Sequence, residues 1–173
     1  MLPSPAPLIL TLTLDEASQA FFDDQRRRYF PPKINYLSAH LTLFHALPGA
    51  EAATLAEQLV EVATAQPGPL LLRVTGLKLM SRGVMYTLDN PDLPALHRSL
   101  QRQWLAWLSA QDQQSLRAHI TVQNKADPAV ARTLHEELTA GFQPFEVQGT
   151  GLALWTYKGG PWELRQRFPF GGA

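Results

Sequence analysis

The 173-residue chain contains no cysteine, and that absence removes disulfides, thiolate metal centres, iron–sulfur clusters and cysteine nucleophiles together. It also lacks an excess of either charge, with 15 Lys and Arg set against 15 Asp and Glu for a formal net charge of zero. The whole-molecule attraction that announces a binder of extended nucleic acid is missing, so an anionic ligand has to be held by local geometry. The chain has no apolar run long enough to span a bilayer, and its start, Met1-Leu-Pro-Ser-Pro-Ala-Pro7, has neither the basic nor the apolar region of a leader. A cytoplasmic protein without membrane contact is expected. Five histidines are present, but none are paired at i, i+4 or at Cys/His ligand spacing, so neither a metal nor a cofactor is expected. Chemistry is left to imidazole, carboxylate, hydroxyl and backbone.

What is present is a plan that occurs twice. Alternation from Leu8 to Leu14 predicts a strand, and Asp15 stands as the N-cap of a helix from Glu16 to Arg28 that Pro31-Pro32 closes. A strand follows over 39–46, a helix over 51–65 and a strand over 70–80. The second half predicts strand 84–88, helix 93–109, strand 118–123, helix 128–140 and strand 145–154, with a last strand over 162–168. Three stretches match in order: Thr13-Leu-Asp15 with Thr87-Leu-Asp89, His40-Leu-Thr-Leu43 with His119-Ile-Thr-Val122, and Thr75-Gly-Leu-Lys-Leu79 with Thr150-Gly-Leu-Ala-Leu154. Their offsets of 74, 79 and 75 residues imply an internal duplication, with pseudo-repeats over about 8–80 and 83–168. The expected fold class is α+β. It is one two-lobed domain over 1–173 whose mainly antiparallel sheets line a central cleft, with helices packed outside.

Each half carries one His-x-Thr pair, and residues two apart in a strand share a face. His40 and Thr42 should therefore project together, as should His119 and Thr121, and the pseudo-symmetry should bring both pairs to the cleft. That set suits phosphodiester chemistry. Displacement at phosphorus needs a base for the attacking hydroxyl and an acid for the leaving oxygen, and imidazole serves as either near neutral pH. Threonine hydroxyls can donate to the non-bridging oxygens where charge develops. The arrangement requires no metal, and the sequence does not say which histidine is acid and which is base. His45, of opposite parity to His40, should face away from the cleft, while His97 and His135 fall on helices; all three are expected to be structural or surface residues.

Paired His-x-Thr-x motifs in a duplicated chain of this length resemble the 2H phosphoesterase superfamily, which includes the bacterial 2′-5′ RNA ligase-like proteins. The resemblance covers nearly the whole chain and extends to Arg28-Tyr-Phe-Pro-Pro-Lys33, Ala39-His-Leu-Thr-Leu-Phe-His45 and Gly159-Gly-Pro-Trp-Glu163. It implies a bilobal fold, catalytic roles for His40, Thr42, His119 and Thr121, and hydrolysis of RNA 2′,3′-cyclic phosphate ends to 2′-phosphates. The alternatives are a phosphoesterase for a small cyclic nucleotide or related phosphodiester, and a nucleotide-binding module without turnover. The expected partner is an RNA end or nucleotide substrate, with no stable protein partner and a monomeric chain.

Four further residues are candidates for substrate binding. Strand parity puts Arg117 and Gln123 on the face of His119 and Thr121, the arginine to bind phosphate or to form an ion pair, and Phe44 on the face of His40 and Thr42, to stack on a base or to pack in the core. Trp155 and Tyr157 share a face if their strand continues, so both should reach the cleft or both should pack. Arg26-Arg27-Arg28 suits either nucleic-acid contact or a solvated helix C-terminus.

Overall fold

Asp15 caps the first helix as its position predicts: its carboxylate accepts from the Ser18 amide at 3.0 Å and from Ser18 Oγ at 2.6 Å. Asp127 caps the last helix in the same way, accepting from the Ala129 amide at 2.8 Å ahead of Pro128. The computed structural model describes residues 5–172, so residues 1–4 of the proline-rich start lie outside the described residues. In chain order the elements are β1 Leu8–Leu14, α1 Glu16–Tyr29, β2 Leu41–Leu47, α2 Ala52–Ala65, β3 Leu70–Met80, β4 Gly83–Asp89, α3 Leu93–Trp104, β5 His119–Gln123, α4 Pro128–Ala140, β6 Phe145–Tyr157 and β7 Trp162–Pro169. Among the described residues, no helix is long and apolar enough to cross a membrane.

The strands form one antiparallel sheet in the order β2-β1-β6-β3-β4-β5, with β7 paired to β6. Exchanging β1, β2 and β3 for β4, β5 and β6 returns the same order. Hydroxyl pairs follow the same exchange: Thr13 meets Thr150 at 3.3 Å, and Thr75 meets Thr87 at 2.9 Å. The two edge strands, β2 and β5, stand farthest apart in the order yet touch each other, so the sheet curls until its motif-bearing edges meet. Each long N-terminal helix of a half then serves the other half. Helix α1 packs against β5, while α3 reaches β2 through His97, whose Nε2–H donates to the Leu43 carbonyl at 3.0 Å.

The core is aliphatic and aromatic, with Leu10, Phe22, Leu41, Phe44, Leu55, Leu59, Leu72 and Leu100 all fully buried. Each such side chain stabilises the fold by about 1.5–3 kcal/mol through area removed from water. In β3, Leu70, Leu72 and Val74 face the core and Leu71, Arg73 and Thr75 face solvent, the alternation of a half-covered antiparallel strand.

Two departures from the sequence expectation shape the site. Helix α3 ends at Trp104 rather than Ser109, and a single 3₁₀ turn over Leu105–Trp107 follows. Gln101 draws the next loop back by donating from Nε2 to the carbonyls of Asp112 at 2.9 Å and Gln114 at 2.7 Å. The second departure is a bulge just after each motif threonine. In β2, Thr42 stands opposite Thr11, but Phe44 stands opposite Leu10 and Leu47 opposite Leu8, so β2 holds extra residues beyond Thr42. In β5, Thr121 stands opposite Met85 and Gln123 opposite Val84, which leaves Val122 as the extra residue. A bulge resets parity, so positions counted through it change face.

Candidate active site

Each motif histidine is held by its own strand entry. Nδ1 of His40 lies 2.8 Å from the Ser38 carbonyl, and Nδ1 of His119 lies 2.7 Å from the Arg117 carbonyl, two residues upstream in both cases. A carbonyl oxygen only accepts, so Nδ1 carries the hydrogen in both rings, and Nε2 is the nitrogen left for chemistry. His40 precedes the first paired residue of β2 and His119 opens β5, so both rings sit at strand ends.

Burial pushes His40 down to about 4, against the pull of the Ser38 carbonyl, and the charges of Arg26, His119 and His45 add to the depression. At neutral pH its ring is an uncharged acceptor at Nε2. That His119 and His45 act on it electrostatically puts three imidazoles in one neighbourhood. Trp162 packs on the His40 ring with centroids 4.5 Å apart, and Trp155 follows at 6.2 Å from Trp162.

Arg26 ties the two motif segments together. It is 3% exposed, and from α1 its Nε donates to Asn35 Oδ1 at 3.2 Å and to the Leu37 carbonyl at 3.1 Å, while Nη1 donates to the Thr121 carbonyl at 3.0 Å. One guanidinium thus holds the approach to His40 and the strand of His119. Burial lowers its pKa to about 10, which leaves it charged at neutral pH. Its neighbours Arg27 and Arg28 pair with Asp24 on the surface, so of the three only Arg26 departs from the solvated helix end read from sequence.

Two cavities adjoin along the first motif. The larger, about 610 Å³, is lined by His40, Trp155, Trp162, Tyr36, Thr11 and Arg167, with Glu16 and Asp23 at its wall. Trp155 is fixed there by its indole N–H, which donates to Thr11 Oγ1 at 2.9 Å. The smaller, about 240 Å³, is lined by Thr42, His119 and Arg117 together with His45, His97 and Asp112. Thr121 lines neither cavity. Among the described residues, no three His, Asp or Glu side chains converge as metal ligands.

Several sequence-derived placements change. Phe44 is fully buried, stacked on His97 at 4.6 Å and edge-on to Trp104 at 5.2 Å, so it is a core residue and not a base-stacking surface. The bulge after Thr42 is the reason. Gln123, assigned the face of Thr121, is likewise buried. The same bulge turns His45 toward the cavity of Thr42 and His119 rather than away from it. Trp155 and Tyr157 part company, the first lining the larger cavity and the second 41% exposed at the strand end beside the turn with Gly159 at φ 81°. Arg117 is exposed at the smaller cavity and makes no ion pair among the described residues. The sequence leaves Arg26 undecided within its arginine run and gives no site role to Asp112 or Trp162. Trp162 carried a signal, since it lies in the Gly-Gly-Pro-Trp stretch already singled out.

A family model described as the 2′-5′ RNA ligase superfamily matches residues 14–161. No curated protein matches the chain. Among solved structures, TT0787 of Thermus thermophilus superposes with a TM-score of 0.66 at 16% identity, covering 96% of this chain and 98% of that one. LigT of E. coli complexed with 3′-AMP gives 0.61 at 18% identity, covering 96% and 98%. A protein described as a phosphoesterase gives 0.61 at 20% identity over the same shares. These structures share the fold, and the family match spans most of the sequence: the chain belongs to the 2′-5′ RNA ligase superfamily of 2H phosphoesterases.

Proposed function

We propose that the chain is a metal-independent phosphodiesterase that opens 2′,3′-cyclic phosphate ends of RNA to 2′-phosphates. The observation that carries this reading is the matched pair of histidines, each with Nδ1–H engaged by the carbonyl two residues upstream and Nε2 left for proton transfer. His40, kept neutral by burial, takes a proton from water at Nε2. The water oxygen bonds to phosphorus as the P–O3′ bond breaks, and His119, entering with both ring nitrogens protonated, gives its Nε2 proton to O3′ and keeps Nδ1–H on the Arg117 carbonyl. Thr42, which lines the smaller cavity with His119, donates to a non-bridging oxygen, a role the family resemblance gives Thr121 as well, and the fixed charge of Arg26 favours the anionic substrate. Trp155 and Trp162 offer a stacking wall for the terminal base.

Crystal structures of LigT carry 3′-AMP, NADP⁺, ATP and phosphate, which supports a nucleotide ligand for this fold. A second reading, a small cyclic nucleotide as substrate, is favoured by the size of the larger cavity and by the net charge of zero. The deciding experiment is hydrolysis, in EDTA, of nucleoside 2′,3′-cyclic phosphates and of short RNAs with the same end, with the product phosphate located by phosphorus NMR. Turnover to a 2′-phosphate that drops about 10²–10⁴-fold in His40→Ala and in His119→Ala supports the mechanism. Activity in the double variant, or a metal requirement, refutes it. Preference for the oligomer over the nucleoside selects the RNA end.

A further inference from the structure

The smaller cavity contains a device that the reaction above does not use. Asp112 is its only lining carboxylate, is 3% exposed, and has both oxygens engaged. Oδ1 accepts from the His45 amide at 2.8 Å and from His45 Nδ1–H at 3.1 Å, and Oδ2 accepts from the Ala46 amide at 2.9 Å. Burial works to raise this carboxyl, and the hydrogen bonds from His45 and Ala46 outweigh it, so the group stays ionised and its charge is already satisfied. Because a carboxylate only accepts, Nδ1 of His45 carries the hydrogen and Nε2 is again the free ring nitrogen. The His45 side chain is 43% exposed, at the wall shared with Thr42 and His119.

The duplication does not account for this arrangement. At the repeat offset of the histidine motifs, the counterpart of His45 is Asn124, so the feature is one-sided. The cavities also differ in charge. The larger has two carboxylates, Glu16 and Asp23, and one guanidinium, Arg167, at its wall, whereas the smaller combines His45 with the guanidinium of Arg117, which makes no ion pair among the described residues, and its one carboxylate, Asp112, is already satisfied. At about 240 Å³ it lies below the range of pockets that enclose a drug-sized molecule, so it suits a phosphate and the sugar edge that bears it rather than a second base.

We propose that this cavity is a subsite for a second phosphate of the substrate, bound by the guanidinium of Arg117 and by the Nε2–H of a doubly protonated His45 ring, with Asp112 the positioning residue that holds its Nδ1–H and aims it. The assignment rests on the phosphodiester reading of the adjoining site, and its test reads binding rather than turnover. Calorimetry in metal-free buffer would compare adenosine 2′,5′- and 3′,5′-bisphosphates with adenosine 2′- and 3′-monophosphates. The wild-type protein should bind at least one bisphosphate about tenfold more tightly than its monophosphate, the scale of a charge-assisted hydrogen bond. His45→Gln and Arg117→Gln should each bring that ratio to within about threefold of unity. Asp112→Asn should do the same, and the ratio separates loss of aim from a general loss of affinity, which would weaken both ligands alike. His45 is part-exposed, so its variant should fold and can carry the test alone. Equal binding of mono- and bisphosphates by the wild type, or a ratio that survives in His45→Gln, overturns the subsite and leaves the reaction untouched. Failure of cyclic-phosphate turnover with the ratio intact removes the reaction and leaves the subsite. No nucleotide binding at all removes both.

Discussion

His40 and His119 hold their rings in the same way, yet their surroundings are opposite in character. His40 is pressed against Trp162, burial lowers its pKa, and it opens on an aromatic cavity. His119 opens on a small polar cavity with Arg117 and His45. Support from behind differs too. A charged side chain of α1, Arg26, reaches the Thr121 carbonyl of the second motif strand and the Leu37 carbonyl ahead of the first motif. From α3 the matching reach to the first motif strand is made by the neutral His97, whose Nε2–H donates to the Leu43 carbonyl, while Gln101 draws the loop that delivers Asp112. On the proposed reading the two halves supply matching imidazoles, with His40 in the setting of a base and His119 beside an anion site.

The change most damaging to this comparison is Arg26→Ala. It should cost about 3 kcal/mol of stability in a denaturant melt, because it removes a charged donor from part-buried carbonyls on both motif segments. Gln101→Ala should cost only about 1 kcal/mol. Equal losses would show that the charge of Arg26 contributes nothing special.

A smaller effect should appear in the pH dependence. A neutral His40 acting as base predicts that kcat/KM falls on the acid side with an apparent pKa near 4, well below ordinary imidazole. The sign for stability follows from the same depression. Between about pH 6.5 and 4 the unfolded chain binds the proton that the folded chain refuses, so the His40 contribution is lost as pH falls through that window. His40→Asn should flatten that part of the stability profile. An acid limb near 6.5 would assign the base role elsewhere.

The smallest effect is expected from Trp162→Ala, which should raise KM several-fold for a base-bearing cyclic phosphate, in line with about 1–3 kcal/mol for stacking on one base. An unchanged KM would move the base out of the larger cavity.

Much of this was legible beforehand because it is written locally. Alternation and periodicity located the strands and helices, Asp15 announced its own cap, and repeated short stretches at nearly constant offset exposed two matching halves. The His-x-Thr pairs rest on the two-residue period of a strand, and the family match agrees with the resemblance they suggested. The cavities nonetheless divide them, with His40 at the larger, Thr42 and His119 at the smaller and Thr121 at neither.

Parity failed where pairing, not sequence, sets the register. Phe44 and Gln123 were assigned to the motif face by counting through positions at which one strand holds an extra residue opposite its partner, and both are buried. Nothing in Leu-Phe-His or Val-Gln-Asn marks a bulge, since it arises from how β2 fits β1 and β5 fits β4. His45 changed face for the same cause. Arg26, within a run of three arginines, could not be told from its solvated neighbours, because what buries it is the meeting of α1 with β5 across about 95 residues of chain. Asp112 came from a loop of no periodicity. The sequence by itself determined the elements, the repeat and the two chemical groups. Only tertiary structure decided which side chains stand beside them, because a strand's face depends on its partner's register and a buried charge on what the distant chain brings to cover it.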